Sequence, residues 1–289
     1  MRWQGNRQSD NIEDRRGDGG GGGGLPVGRG GLSIGGVLVA LVVAWLLGIN
    51  PLTVLGLMGE GGVAAPTQSA PGPVGKDEAT QFVRTVLAST EDVWGPQFKA
   101  RGASYRPPTL VLFRGRTTTA CGQGQAAMGP FYCPADEKVY IDLVFFDTLR
   151  SRLGAPGDFA QAYVIAHEVG HHVQNLMGLT AEVDRARRQS SEAEANQMSV
   201  RLELQADCLA GIWAHDAEAA QRILEQGDVE EALNAATRIG DDTLAREAGG
   251  AVAPDSFTHG TSAQRARWLQ TGLQTGDLQQ CDTFAARNL

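Results

Sequence analysis

Residues 160–177 read AQAYVIAHEVGHHVQNLM and contain three of the 5 histidines in the 289-residue chain. Residues four positions apart in a helix share a face, so His167 and His171 can bind one metal ion together. Glu168 lies about 100° around the helix from His167, close enough to act as general base on a water at the metal. A chance match on a surface helix is the alternative, but it leaves unpaired imidazoles in an apolar helix, which is costly.

A catalytic zinc keeps three protein ligands and one open position, so a further ligand is required. Gln174 and Met177 stand where the long motif H-E-x-x-H-x-x-G-x-x-H needs Gly and His, which excludes that class. In the segment RLELQADC, Glu203 and Asp207 are four positions apart and share one helix face. We expect Glu203 to be the third ligand and Asp207 to accept a hydrogen bond from a ligand histidine. Exchanged roles, or a solvated helix face, are the alternatives.

The segment SFTHGTSAQRARW contains His259 and, six residues later, Arg265. An imidazole or guanidinium opposite the metal can stabilise the oxyanion that forms during amide hydrolysis, which makes His259 a candidate catalytic residue. A structural or exposed histidine is the alternative. His172 projects about 100° away from His171 and is expected to lie beside the site or at the surface.

Four segments are predicted along the chain. Residues 1–31 are polar and glycine-rich and are expected to form a disordered tail. Residues 32–49, LSIGGVLVALVVAWLLGI, carry no charge over about one bilayer thickness and predict a transmembrane helix. Residues 50–75 are expected to form a linker, and residues 76–289 the metallopeptidase domain. A cleaved signal peptide or a buried core helix are the alternatives for the apolar segment.

The distribution of arginine predicts the orientation of this anchor. No Lys or Arg occurs in residues 50–75, whereas several precede the apolar segment: Arg2, Arg7, Arg15, Arg16 and Arg29. Cytoplasmic flanks carry the excess of basic residues, so we expect a single-pass protein of the cell membrane with a cytoplasmic N-terminus and an extracytoplasmic domain. The net charge of -8 argues against a general nucleic-acid partner.

The 4 cysteines include no Cys-x-x-Cys pair, which argues against a zinc ribbon. In an oxidising compartment disulfides become plausible. Cys121 and Cys133 bracket a glycine-rich loop and could close it, which would leave Cys208 to pair with Cys281. Three pairings of four cysteines exist and free buried thiols are a further alternative, so the sequence leaves the connectivity open.

The fold class is predicted as α+β, mostly helical, with a small β-sheet. Residues 109–113 and 138–143 are rich in β-branched and aromatic side chains and predict strands. Helices are expected over residues 78–98 after Asp77, over the metal-binding stretch between Asp158 and Gly178, and from Ser191, whose spacing to Glu194 fits a capping box. Two shorter helices are expected to begin at Asp228 and Thr261.

At these residues the chain resembles the neutral zinc metallopeptidase family of bacterial membrane proteins. The resemblance covers nearly the whole chain and is carried by six stretches: MRWQGNRQSDNIEDRRG, CGQGQAAMGPFYCP, KVYIDLVFF, AHEVGHHVQNLMG, ELQADCLAGIWA and THGTSAQRARW. It implies one N-terminal membrane anchor and a zincin-like domain that acts as a zinc peptidase. A wider likeness to peptidases that combine H-E-x-x-H with E-x-x-x-D supports Glu203 as ligand and His259 as oxyanion stabiliser. Those relatives often place Pro after this histidine, where the present chain has Gly260.

The predicted activity is that of a zinc-dependent endopeptidase with one Zn²⁺ ion, a protein or peptide substrate, and contact with the membrane through residues 32–49. Two other functions use the same residues. One is a catalytically silent, zinc-stabilised interaction module tethered to the membrane. The other is an amidase that acts on cell-wall material.

Overall fold

The computed structural model describes residues 1–17, 74–126, 129–250 and 252–289. These residues form a mostly helical α+β fold with a small sheet, as the sequence predicts. The N-terminal segment and the C-terminal part of the chain belong to the same compact unit.

Six strands and eight α-helices occur in the described residues. The strands are β1 (Ile12–Asp14), β2 (Thr109–Phe113), β3 (Arg116–Thr119), β4 (Gly122–Gln125), β5 (Phe131–Cys133) and β6 (Lys138–Asp142). The helices are α1 (Glu78–Ala100), α2 (Val144–Ser151), α3 (Asp158–Leu176), α4 (Leu179–Arg187), α5 (Glu192–Gln221), α6 (Asp228–Arg238), α7 (Asp241–Glu247) and α8 (Ser262–Thr275). Short 3₁₀ helices lie at Pro254–Ser256 and Leu278–Cys281.

The main sheet has the strand order β1-β2-β6-β5. Strands β1, β2 and β6 are parallel, and β5 runs antiparallel to β6 at the edge. Strands β2 and β6 are fully buried over most of their length, because apolar residues point to both faces, as is usual for the parallel strands of a covered sheet. Strands β3 and β4 form a separate antiparallel hairpin.

Helix α3 is buried along most of its length and packs among its helical neighbours α1, α5 and α6. The rings of Phe159 on α3 and Trp213 on α5 stack with centroids 5.8 Å apart, both fully buried. The predicted cap of α1 at Asp77 and the capping box of α5 at Ser191 are confirmed. The predicted cap of α3 is displaced by one residue, because Gly157 occupies the cap position and Asp158 begins the helix.

The prediction of a disordered tail over residues 1–31 is wrong for residues 1–17. Strand β1 pairs with β2, with Ile12 opposite Leu110, and the Ile12 side chain is buried. The ring of Trp3 packs edge-on against Phe82 of α1 at 5.4 Å. The segment has few apolar residues, but their burial and the ion pairs of its charged side chains offset the ordering entropy.

The predicted transmembrane helix, residues 32–49, lies outside the described residues, as do residues 18–31 and most of the predicted linker. Among the residues that are described, we find no helix with both the length and the apolar character that a membrane crossing requires. The end of the predicted linker, Val74 and Gly75, is part of the folded unit, since the Gly75 amide donates to Asp14.

Two disulfides stabilise the fold, and they are one of the three pairings that the sequence allows. Cys121–Cys133 links the end of hairpin β3-β4 to strand β5, and Cys208–Cys281 links α5 to the C-terminal 3₁₀ helix. The second bond closes a loop of 73 residues and holds the C-terminal segment against the helix that carries Glu203 and Asp207.

A cluster of three acidic side chains, Asp158, Asp228 and Glu231, has oxygens close enough to bind one cation. In the structure the positive charge between these carboxylates is that of the N-terminal ammonium group. The α-ammonium group of Met1 donates to Asp158 at 2.6 Å and to Asp228 at 3.3 Å. The cluster therefore fixes the N-terminal segment between α3 and α6.

Candidate metal centre

Helix α3 presents His167 and His171 on one face, one turn apart, as their spacing predicts. Their ring centroids are 4.8 Å apart and the rings are perpendicular. His167 is buried, whereas the His171 side chain keeps 16% of its surface exposed. The pair therefore lies at the boundary between the core and solvent.

Glu203 reaches the same point from α5. One carboxylate oxygen is 3.2 Å from His167 Nε2 and the other is 3.4 Å from His171 Nε2. Ligands bound at about 2.0–2.1 Å in a tetrahedral zinc site are about 3.3–3.4 Å from one another. The donor atoms of the three residues therefore have the composition and the spacing of a zinc site.

The two helices that carry the candidate ligands approach closely at Gly170, the second variable position of the motif. A Cβ atom there would lie 3.0 Å from the backbone oxygen and 3.2 Å from the Cα of Ala206. Gly170 is one residue before His171, and Ala206 is one helical turn beyond Glu203. This contact sets the separation between Glu203 of α5 and the two histidines of α3.

Asp207 lies behind His167, fully buried. Its Oδ1 is 2.8 Å from His167 Nδ1 and also accepts a 2.5 Å bond from the hydroxyl of Tyr163. An Nδ1–H that donates to this carboxylate leaves Nε2 of the neutral ring free to bind a metal. The arrangement matches the role expected for Asp207.

Arg265 neutralises the buried Asp207 carboxylate. It reaches this carboxylate from α8 with two 2.9 Å bonds, one to each oxygen, and its NH2 group is 3.2 Å from the Tyr163 hydroxyl. Only 3% of its surface is exposed. The sequence suggested that a guanidinium such as that of Arg265 could stabilise the oxyanion. In the structure this guanidinium binds Asp207, the residue behind His167.

Gln174 supports the second histidine in the same way. Its Oε1 is 2.9 Å from His171 Nδ1, and its Nε2 donates to the Leu202 backbone oxygen and to Gln205 Oε1. Gln174 is fully buried. Sequence reasoning used this residue only to exclude the longer motif, although its i+3 position relative to His171 is the local signal for such a contact.

The carboxylates make the centre favourable for positive charge. Burial alone would lower the pKa of His167, but Asp207 and Glu203 outweigh it and raise that pKa to about 10. Burial would raise the pKa of Glu203, but the two histidines hold it well below its usual range. The pKa of Asp207 falls to about 2, because Arg265 and His167 outweigh its burial. A divalent cation is stabilised by the same carboxylates.

Glu168 is buried beside the histidines, with 7% of its surface exposed. Burial raises the pKa of its carboxyl group. A carboxylate with a raised pKa is a stronger base than one in water, which suits proton transfer at neutral pH.

His259 lies in the loop before α8 and keeps half of its side chain exposed. Asp241, at the start of α7, accepts the backbone N–H groups of Thr258, His259 and Gly260 with one oxygen, and its other oxygen lies 3.2 Å from His259 Nδ1. Asp241 raises the pKa of His259, and the Glu203 carboxylate adds to this effect. No sequence pattern pointed to Asp241.

Gly260 has a backbone conformation that Pro could not adopt. Its φ is +92°, which Pro cannot adopt, and its N–H donates to Asp241. A Cβ there would lie 3.2 Å from Val200 and from Leu204, which are on the turns of α5 that flank Glu203. The glycine therefore lets the loop of His259 pack against the ligand-bearing helix.

His172 is not part of the centre. The ring is fully buried on another face of α3, where Nε2 donates to the backbone oxygen of Arg106 and Nδ1 lies 3.0 Å from the Tyr132 hydroxyl. Both nitrogens are used in holding α3 to the segment before β2 and to strand β5. His172 was expected to lie beside the metal site or at the surface, but in the structure it has a structural role.

Comparison with known proteins agrees with the motif. The model of the family described as "Putative neutral zinc metallopeptidase" matches residues 1–284. The uncharacterized protein YpfJ of Escherichia coli strain K12 is 51% identical over 290 residues, which cover 98% of this chain and 99% of the relative. The uncharacterized protein Rv2575 of Mycobacterium tuberculosis strain H37Rv is 39% identical over 222 residues, or 73% of this chain and 74% of the relative. No solved structure matches the chain significantly. The chain belongs to the neutral zinc metallopeptidase family.

Proposed function

We propose that the protein is a zinc-dependent endopeptidase that hydrolyses peptide bonds of a protein or peptide substrate. The observation that carries the proposal is the convergence of His167, His171 and Glu203 on one point, with donor atoms 3.2 and 3.4 Å apart. His171 and Glu203 expose 16% and 17% of their side chains, so the proposed metal position is open to solvent on one side. A structural zinc would instead be closed by a fourth protein ligand.

One Zn²⁺ ion held by these three residues would lower the pKa of a bound water towards about 7 and polarise the carbonyl of the scissile bond. Glu168 is the general base of the reaction. Its buried carboxylate accepts the proton of the attacking water and returns it to the leaving amine.

His259 stabilises the oxyanion that develops on the carbonyl oxygen of the substrate. Asp241 holds the imidazole by Nδ1 and favours its protonated form, so that the Nε2–H can donate to developing negative charge. Asp207, Arg265 and Gln174 take no part in proton transfer. They fix the rings of the two ligand histidines in the tautomer that presents Nε2 to the metal.

The experiment compares the full-length protein with Glu168→Gln, using a peptide library and cell-wall fragments as substrates. We expect the variant to keep one zinc per chain and to lose about 10²- to 10⁴-fold in kcat/KM on peptides, the usual contribution of a general base. Glu182→Gln, an exposed carboxylate on α4, is the matched control and should change neither quantity.

Three outcomes contradict the proposal. If the Glu168→Gln variant cleaves peptides as fast as the wild type, Glu168 is not the general base. A wild-type protein that binds zinc but cleaves nothing, and keeps a protein partner after metal is chelated, is an interaction module. Cleavage restricted to cell-wall fragments identifies an amidase.

A further inference from the structure

The residues that flank the undescribed segment, before Gly17 on one side and after Val74 on the other, are hydrogen-bonded to each other. Asp14 accepts the Gly75 N–H at 3.0 Å. The Arg16 guanidinium donates to Asp14 at 2.6 Å, to Asp77 at 3.1 Å and to the Thr80 hydroxyl at 2.9 Å. The Arg16 and Asp14 side chains expose only 17% and 8% of their surface, whereas Asp77 at the edge of the network is half exposed. The chain therefore leaves the fold and returns to it at one place.

The rest of the N-terminal segment is attached just as firmly. Glu13 accepts a 2.5 Å bond from Lys138 of β6, although β1 and β6 lie on either side of β2. Near the middle of α1, Arg7 pairs with Glu91 at 2.9 Å. Ile12 and Met1 are buried in the common core. Residues 1–17 are thus a structural part of the domain that contains the metal centre.

This attachment conflicts with a single membrane crossing. A helix that crosses once puts its two flanks on opposite sides of a hydrocarbon layer about 30 Å thick. Gly17 and Val74 cannot be separated in this way while Arg16 bridges Asp14 and Asp77. The positive charges that predict a cytoplasmic N-terminus are also accounted for differently, because Arg7 pairs with Glu91 and Arg16 with Asp77, whereas Arg15 pairs with Glu13 of its own segment.

We infer that residues 1–17 and residues 74–289 lie together on one face of the membrane whose presence the apolar sequence of residues 32–49 predicts. The inference rests on the membrane association that the sequence predicts and is independent of the peptidase activity. The two disulfides place this face in an oxidising compartment, so the N-terminus is extracytoplasmic together with the metal centre. The expected single-pass topology is replaced by this arrangement.

The first test maps both segments with a membrane-impermeant maleimide on intact cells and on lysed cells. Gln4→Cys reports on the N-terminal segment, and Gln270→Cys, an exposed position of α8, reports on the domain. We expect both to react in intact cells. Reaction of Gln270→Cys in intact cells with reaction of Gln4→Cys only after lysis would establish the single crossing and overturn the inference.

Two other patterns are informative in the same experiment. Reaction of both cysteines only after lysis supports a common face but places it in the cytoplasm, which overturns the assigned compartment. Recovery of the protein in the soluble fraction after carbonate extraction overturns the membrane contact itself. None of these readouts depends on zinc or on substrate cleavage, so they cannot be confused with a failure of the proposed activity.

The second test asks whether the N-terminal segment is docked in the membrane fraction. A zero-length carbodiimide joins an amine to a carboxylate in direct contact, and Lys138 Nζ is 2.5 Å from Glu13 Oε1. We expect an isopeptide bond between these two residues, detected by mass spectrometry of membranes treated without detergent. The matched control, Glu13→Gln, should lack it. Its absence from wild-type membranes, while the purified domain still forms it, would show that the segment is undocked when the protein is membrane-bound.

Discussion

Replacing Asp207 by Asn separates the two tasks of this carboxylate, which are to balance Arg265 and to accept the hydrogen bond of His167. The variant keeps the shape of the side chain and removes its charge. Arg265 is 3% exposed and, in the described part of the chain, forms its ion pair with Asp207. The variant leaves this buried charge unpaired, which costs about 3–5 kcal/mol of unfolding free energy. Loss of the carboxylate behind a ligand histidine weakens metal binding by about 10- to 100-fold.

The double variant Asp207→Asn with Arg265→Gln distinguishes these effects. It removes both buried charges, so we expect most of the lost unfolding free energy to return. Zinc affinity should stay about 10- to 100-fold below wild type, equivalent to about 1.4–2.7 kcal/mol, because His167 still lacks its carboxylate partner. Denaturant unfolding of the metal-free protein gives the first quantity, and competition with a chromophoric chelator gives the second.

The control is Asp216→Asn, which removes a carboxylate from the same helix where it contacts Gln97 rather than a ligand. It should leave zinc affinity unchanged. A double variant that binds zinc as tightly as the wild type would refute the reasoning, because Asp207 would then act on the metal only through the stability of the fold.

Three further predictions concern the loop, the disulfide and the metal. Asp241→Asn should move the alkaline fall of kcat/KM to lower pH, because His259 is effective when protonated and Asp241 raises its pKa; an unmoved alkaline limb at unchanged zinc content would contradict the role of His259. Replacing Cys208 and Cys281 by Ser opens a loop of 73 residues and should cost about 4 kcal/mol in denaturant unfolding, whereas a loss below about 1 kcal/mol would show that the C-terminal segment stays in place without it. Chelation of zinc should lower the thermal midpoint to that of the apoprotein, by an amount equivalent to about 2.7 kcal/mol for free zinc at 100 times Kd; an unchanged midpoint would argue against metal binding to the native state.

The parts of the centre that could be predicted from the sequence are those encoded over one or two helical turns. His167 and His171, and likewise Glu203 and Asp207, are four residues apart, and this spacing alone determines that each pair shares a face. The capping box at Ser191 and Glu194 is equally local. Such signals need no knowledge of the tertiary structure.

The parts that could not be predicted depend on contacts between distant segments. Asp241 meets His259 across 18 residues, and Arg265 meets Asp207 across 58. Strand β1 has three residues and only one of them, Ile12, is apolar, so it has no alternating pattern to recognise. Its stability comes from pairing with β2 and from ion pairs with the domain, which the composition of an isolated polar segment does not reveal.

The contact between Gly170 and Ala206 gives the two variable positions of the H-E-x-x-H motif unequal tolerance to substitution. Val169 is fully buried in the apolar core, so another aliphatic side chain of similar volume can replace it. Gly170 faces the backbone of the opposing helix, and even one methyl group there must push α5 away from α3. A displacement of α5 by a few tenths of an ångström would lengthen the distance from Glu203 to both histidines. The spacing of the three candidate ligands is therefore determined by Gly170, which is not one of them.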